Sequence, residues 1–154
     1  LGVVIGKTAL NVAEKDALDY VMGYTVVNDV SARDLQFVGA RQWDRSKSFD
    51  TFCPWGPYIV TRDEIPDPHV LQVRTLLNGK EMQNSNTKNL IFSVPKIIAH
   101  LSQGTTLLPG DLIPTGTPAG VGFRRTPPVF LKDGDECVCE VEKIGAIRNR
   151  ARPR

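Results

Sequence analysis

Short apolar runs bounded by glycine, proline, asparagine and aspartate predict strands at Val3–Ile5, Tyr24–Val27, Tyr58–Val60, Leu71–Leu77, Leu112–Pro114, Val129–Leu131 and Glu136–Val141. Asn78-Gly79 between "LQVRTLL" and "KEMQ" is a type I′ hairpin signal, and Asp133-Gly134 marks another turn before the last strand. Helical spacing is confined to two segments. Asn11–Met22 offers Asn11 as N-cap, Glu14 three residues on, an inward face of Ala17, Leu18 and Val21, and Gly23 as the stop. Val94–Leu101 is capped by Ser93, tolerates Pro95 in its first turn and turns Ile97, Ile98 and Leu101 inward. Many short strands with small helices predict a mainly β, α+β architecture rather than an alternating βαβ layout.

Composition narrows this to one domain. The chain has 154 residues, 41% hydrophobic and 23% charged, within the range of a soluble globular domain able to bury a core. Its net charge of +2 arises from 19 basic and 17 acidic residues. Arg148 to Arg154 is the one basic cluster; the rest are dispersed, and that dispersal argues against a nucleic-acid surface, which needs a concentrated basic face. No run approaches the roughly 18 apolar residues of a membrane span. Three cysteines cannot all pair, and Cys137 and Cys139 would share a strand face, so the expected setting is an intracellular, reducing compartment, cytoplasmic or mitochondrial matrix.

Several chemical signals dissolve on inspection. "GVVIGKT" has only three residues between its glycines, all β-branched, which makes a strand rather than a phosphate loop. His69 and His100 lack partners at metal-ligand spacing, and Cys137-x-Cys139 lacks a second pair, so zinc is not expected. "VNDVSARDLQ" is different. It leaves an apolar run through two acids and a guanidinium with no Gly or Pro, and Lys47 and Thr51 follow soon after. Those groups are what a site needs to hold a hard cation and an anionic substrate together, although solvated loops with a few salt bridges would read the same. "PTGTPAGVG" adds a glycine-rich turn whose amides and threonine hydroxyls could receive a carboxylate, or simply form a hairpin or bulge.

Together these stretches resemble the fumarylacetoacetate hydrolase family from Leu1 to about Arg148. The resemblance lies in "GYTVVNDVSARDLQ", "KSFDTFCPWGPYIV", "LLNGKEMQNSNTKNLIF", "LLPGDLIPTGTPAGVGF" and "PPVFLKDGDECVCEVEKIG", in that order. It is nearest to the fumarylacetoacetate hydrolase domain-containing proteins and the 2-hydroxyhepta-2,4-diene-1,7-dioate isomerases. It implies a mixed β-sandwich roll, usually a homodimer, that binds Mg²⁺ or Mn²⁺ and a small 2-oxo acid. By position, Asp29 resembles the metal-ligating aspartate, Thr51 a residue of the same shell and Lys47 the catalytic lysine beside the metal. Arg33 and Gln36 resemble substrate-binding residues, and Gly116 and Thr117 the part that receives a substrate carboxylate. Residues 1–148 then form the catalytic domain and 149–154 a basic tail.

The implied chemistry is a metal-stabilised enolate, with Lys47 adding positive charge or moving a proton. Keto–enol tautomerisation of oxaloacetate is the leading expectation, with hydrolysis of an acylpyruvate or fumarylpyruvate beside it. Two features of the family are not matched at their places here: the Glu-x-Glu on the strand leading into "LGVVIGK", which supplies the other metal ligands, and the His-Glu pair of the hydrolytic lid. The expectation is therefore an N-terminally incomplete enzyme, and the alternative is a binding or oligomerisation module of the same fold.

Overall fold

The structure, a computed structural model, describes residues 1–38 and 42–153, so Arg154 of the predicted tail lies outside the described residues. Two four-stranded antiparallel sheets face each other. In the first, β1 (Gly2–Ile5) is flanked by β2 (Val21–Val27) and β6 (Leu112–Pro114), and β3 (Trp55–Thr61) pairs with the far side of β2. In the second, β4 (Gln72–Leu77) lies between β5 (Lys80–Asn86) and β7 (Glu136–Val141), and β8 (Gly145–Arg150) closes the edge. Two α-helices, α1 (Trp43–Lys47) and α2 (Val94–Leu101), and four short 3₁₀ turns complete the described elements.

The core forms where the inner faces meet. Val3, Ile5 and Val26 from the first sheet pack in one cluster with Cys139, Val141 and Ile147 from the second. Ala17, Val94 and Ile98 from the helical segments belong to the same cluster. Removing this apolar surface from water drives the sheets together.

α2, β6 and β7 occupy the predicted ranges, and Ser93 caps α2 by accepting from the Lys96 amide at 3.3 Å. The predicted helix at Asn11–Met22 does not form. Asn11 has φ 52 and its side chain accepts from the Gly104 amide, so it anchors a loop. A 3₁₀ helix occupies Glu14–Tyr20, and Val21 already belongs to β2. Gly23 is a strand position, not a helix stop: a Cβ there would lie 2.3 Å from the Val60 carbonyl oxygen of β3. Val129–Leu131 is also not a strand; Phe130 and Leu131 are exposed, and the Val129 amide bonds to the Gly122 oxygen of the glycine-rich loop. β8 runs to Arg150, two residues into the segment read as a tail.

Candidate functional site

The acidic turn needs no glycine because a short turn does the bending. β2 ends at Val27, the Asn28 amide donates to the Pro54 oxygen, and the Val30 amide reaches back to the Asn28 oxygen at 2.9 Å. That two-residue closure is a γ-type turn, which non-glycine residues adopt at strand ends. It projects Asp29 outward. The Ala32 amide then donates to the Ser46 oxygen in α1 at 2.9 Å, tying the turn to that helix. Lys47, the last residue of α1, consequently meets Asp29: its ammonium donates to Oδ2 in an ion pair whose side chains are 31% and 37% exposed. The pair is open to a ligand.

Arg33 is held on two sides. Its guanidinium donates to Oε1 of Gln36, which is 1% exposed, and its other face lies over the Phe123 ring at 4.4 Å from the centroid. A guanidinium fixed by an amide and an aromatic face keeps its remaining N–H groups free for a carboxylate. Phe123 follows the glycine-rich loop, which is pinned to β5. Gln83 donates to both Thr117 Oγ1 and the Pro118 oxygen at 2.8 Å. Because the Thr117 hydroxyl accepts from Gln83, its own proton is free to donate elsewhere. Gly116 has φ +109 and open space where a Cβ would point, so the backbone is accessible there.

These groups line one cleft of about 930 Å³ between the sheets, bounded by Asp29, Arg33, Gln36, Lys47, Gly116 and Thr117. Thr51 does not line it; it is exposed with φ 70 on the neighbouring loop. The structure also contributes residues that the sequence did not single out. Gln83, Phe123 and Asn28 become visible only through contacts between distant segments. Cys137 and Cys139, read from sequence only as face-sharing thiols, join the cleft wall as well. The Asn28 side-chain amide donates through Nδ2 to Cys137 Sγ at 3.7 Å, and Thr75 Oγ1 lies 3.8 Å from Cys139 Sγ.

The thiol environments differ. The neighbouring Cys139 thiol, aided by the Asn28 side-chain amide and opposed by burial, draws the Cys137 thiol down from its ordinary value. Its neighbour Cys139 is pushed upward by Cys137 and by burial. Burial, then the Asp29 charge, pushes Cys53 up, against the pull of Lys47. All three cysteines are free thiols. His69, by contrast, is structural: its Nε2 accepts from the Val94 amide at 3.0 Å, at the start of α2.

A divalent cation is a poor match for the described residues alone. Hard cations take six or more oxygens, commonly from several carboxylates. Only Asp29 and Glu140 among the cleft acids are available, and Lys47 and Arg74 engage them. No group of three or more His, Cys, Asp or Glu side chains that could hold a metal occurs among the described residues.

Residues 1–152 match the family model described as Fumarylacetoacetate (FAA) hydrolase C-terminal. The chain is 51% identical over 150 residues to a rat protein (Rattus norvegicus) named oxaloacetate tautomerase Fahd2a, mitochondrial, covering 97% of this chain and 48% of that protein. It thus spans about half the length of the curated relatives it matches. A solved fumarylacetoacetate hydrolase from Exiguobacterium antarcticum superposes with TM-score 0.95 at 44% identity, over 99% of this chain and 55% of the other. A 2-hydroxyhepta-2,4-diene-1,7-dioate isomerase from Mycobacterium marinum gives 0.88 at 45% identity, over 98% and 56%.

Proposed function

The chain belongs to the fumarylacetoacetate hydrolase family, and from that premise we propose that its cleft binds a small 2-oxo acid and interconverts its keto and enol forms, with oxaloacetate as the substrate. The observation that supports oxaloacetate among 2-oxo acids is the 51% identity, over 97% of this chain, to a relative named for that reaction.

The residues suit the task. Arg33, braced by Gln36 and Phe123, takes one substrate carboxylate, and the free proton of Thr117 with the backbone at Gly116 receives the other. That grip leaves the 2-oxo group facing the Lys47 ammonium. Tautomerisation moves a proton between carbon and oxygen through an enolate, so a cation beside the oxygen lowers the barrier. Lys47 supplies that charge and can pass a proton to the enolate oxygen. Asp29, its ion-pair partner, holds the ammonium in position. Enzymes of this family generally use a divalent metal ion, and Asp29 and Glu140 alone do not make a site for one. A homodimeric state and a mitochondrial-matrix location, compatible with three free thiols, complete the proposal. No described helix is long and apolar enough to cross a membrane.

The test tracks the ultraviolet absorbance of enol-oxaloacetate as it converts to the keto form. The protein accelerates the decay, and Lys47→Met lowers that acceleration on the order of 10²-fold. No acceleration by the unaltered protein with Mg²⁺ or Mn²⁺ supplied, or equal rates in Lys47→Met, would overturn the proposal.

A further inference from the structure

We propose that Arg125 is a positioning residue for the carboxylate-receiving loop. Its guanidinium ties the Gly120 carbonyl in that loop to the Met82 carbonyl in β5, and so holds Gly116 and Thr117 where a substrate carboxylate meets them. The inference rests on the part given above to Gly116 and Thr117.

Met82 is where β5 departs from regular pairing. Thr75 pairs with Gln83 and Leu76 with Glu81, so Met82 has no register partner on β4 and stands as the extra residue of a bulge. Such a residue is left out of the ladder and bends its strand. Its half-buried carbonyl needs a donor from elsewhere, and Arg125 Nη2 is that donor. Arg125 Nε donates to the Gly120 oxygen at 3.1 Å. The two bonds leave different nitrogens of one rigid plane, so they fix loop and strand relative to each other. Gly120 packs on the same Met82 carbonyl, where a Cβ would not fit.

The next residue of β5 completes the grip. Gln83 donates to Thr117 Oγ1 and to the Pro118 oxygen at 2.8 Å, so consecutive strand residues hold the loop at 117–118 and at 120. The main chain brings Arg125 into reach: its amide donates to the Gly122 oxygen at 3.1 Å, and the Val129 amide closes on that oxygen at 3.0 Å. Arg62, Arg74 and Arg148 pair with acids, whereas these donors of Arg125 serve main-chain oxygens. Met82, Gln83 and residues 117–123 line the cleft but Arg125 does not, so its effect on substrate passes through the loop. Tautomerisation leaves a gripped carboxylate unchanged, so that grip is equally strong in ground state and transition state. Loss of the bridge therefore falls on KM rather than on kcat.

The experiment compares the unaltered protein with Arg125→Met, which lacks both donors, and Arg125→Lys, which keeps the charge on a single nitrogen. Oxaloacetate tautomerisation is followed with Mg²⁺ or Mn²⁺ supplied, and hydrogen exchange is followed by mass spectrometry in peptides over residues 115–129. Arg125→Met raises KM about fivefold or more while kcat stays within about twofold. Exchange over 115–129 quickens severalfold while peptides of β1 and β2 keep their protection. Arg125→Lys raises KM about threefold or more, because one ammonium does not replace the two-nitrogen bridge, and it decides the matter should Arg125→Met fail to fold. An unchanged KM in Arg125→Met, or full recovery in Arg125→Lys, would overturn the proposal. Without turnover by the unaltered protein the tautomerase reading fails on its own. Exchange then decides the bridge: a quicker loop in both variants supports it, and equal protection overturns it.

Discussion

Neutralising Asp29 separates its electrostatic role from any structural one. With 37% of its side chain exposed, the pair it forms with Lys47 contributes no more than about 1 kcal/mol to stability. Asp29→Asn should therefore unfold within about 1 kcal/mol of the unaltered protein, yet lose at least tenfold in turnover, because Lys47 is no longer aimed. A normal rate in a folded variant would remove Asp29 from the site. Arg33→Lys should raise KM about tenfold with little change in kcat, since an ammonium can neither lie flat on Phe123 nor grip a carboxylate with two N–H groups. An unchanged KM would show that the substrate carboxylate goes elsewhere. Asp29, Arg33, Gln36, Lys47, Gly116 and Thr117 were joined as one expected site by the family resemblance of their motifs, since the residue types alone fitted solvated loops equally well; the fold lines one cleft with all six. Thr51 shares such a motif, but its left-handed backbone places it outside the cleft lining. Asn28 and Cys137 were not legible as a pair: 109 residues separate them, and only the meeting of the sheets brings them together.

The glycine-rich loop works because β5 holds it from below. A Cβ on Gly120 would lie 2.2 Å from the Met82 carbonyl oxygen, and its φ of +105 disfavours any side chain. Gly120→Ala should cost at least about 2 kcal/mol in a denaturant titration and weaken substrate binding together with it. Gln83→Ala is the gentler probe. It removes the two Gln83 bonds to the loop, leaving the Arg125 bridge, at a cost of about 1 kcal/mol and should raise KM severalfold while kcat holds. Equal KM values would show that Thr117 needs no support. Element prediction succeeded and failed for physical reasons. α2 has a serine cap and an early proline, both local signals, and its range was legible. β8, "GAIRNR", was missed because Ile147 is its one buried residue, between small and polar neighbours; pairing with β7 makes it a strand. The Asn11–Met22 reading failed because β1 pairs with Val21, Gly23, Tyr24 and Thr25 and draws them into the sheet, a tertiary demand that local capping signals cannot express.

At the scale of the whole molecule, the two sheets position the cleft only while their shared core stays closed, and Tyr24 reports on that closure. It belongs to the core cluster on β2, is 1% exposed, and sits three residues before the strand ends at the acidic turn. Burial pushes its phenol up to about 12, with Arg62 opposing and Asp67 adding to the shift. In the unfolded chain the same phenol ionises near 10. Below that pH both states keep the proton and the contribution to stability is complete. Between about 10 and 12 the unfolded chain binds fewer protons than the fold, so stability falls as pH rises through this window. Tyr24→Phe has no phenol to ionise and should lose melting temperature less steeply across that range, although it starts from a different value. Every other ionisable group is common to both proteins and cancels in the comparison. Parallel curves would mean that the hydroxyl reaches water in the fold, and that the core between the sheets is looser at β2 than its packing indicates.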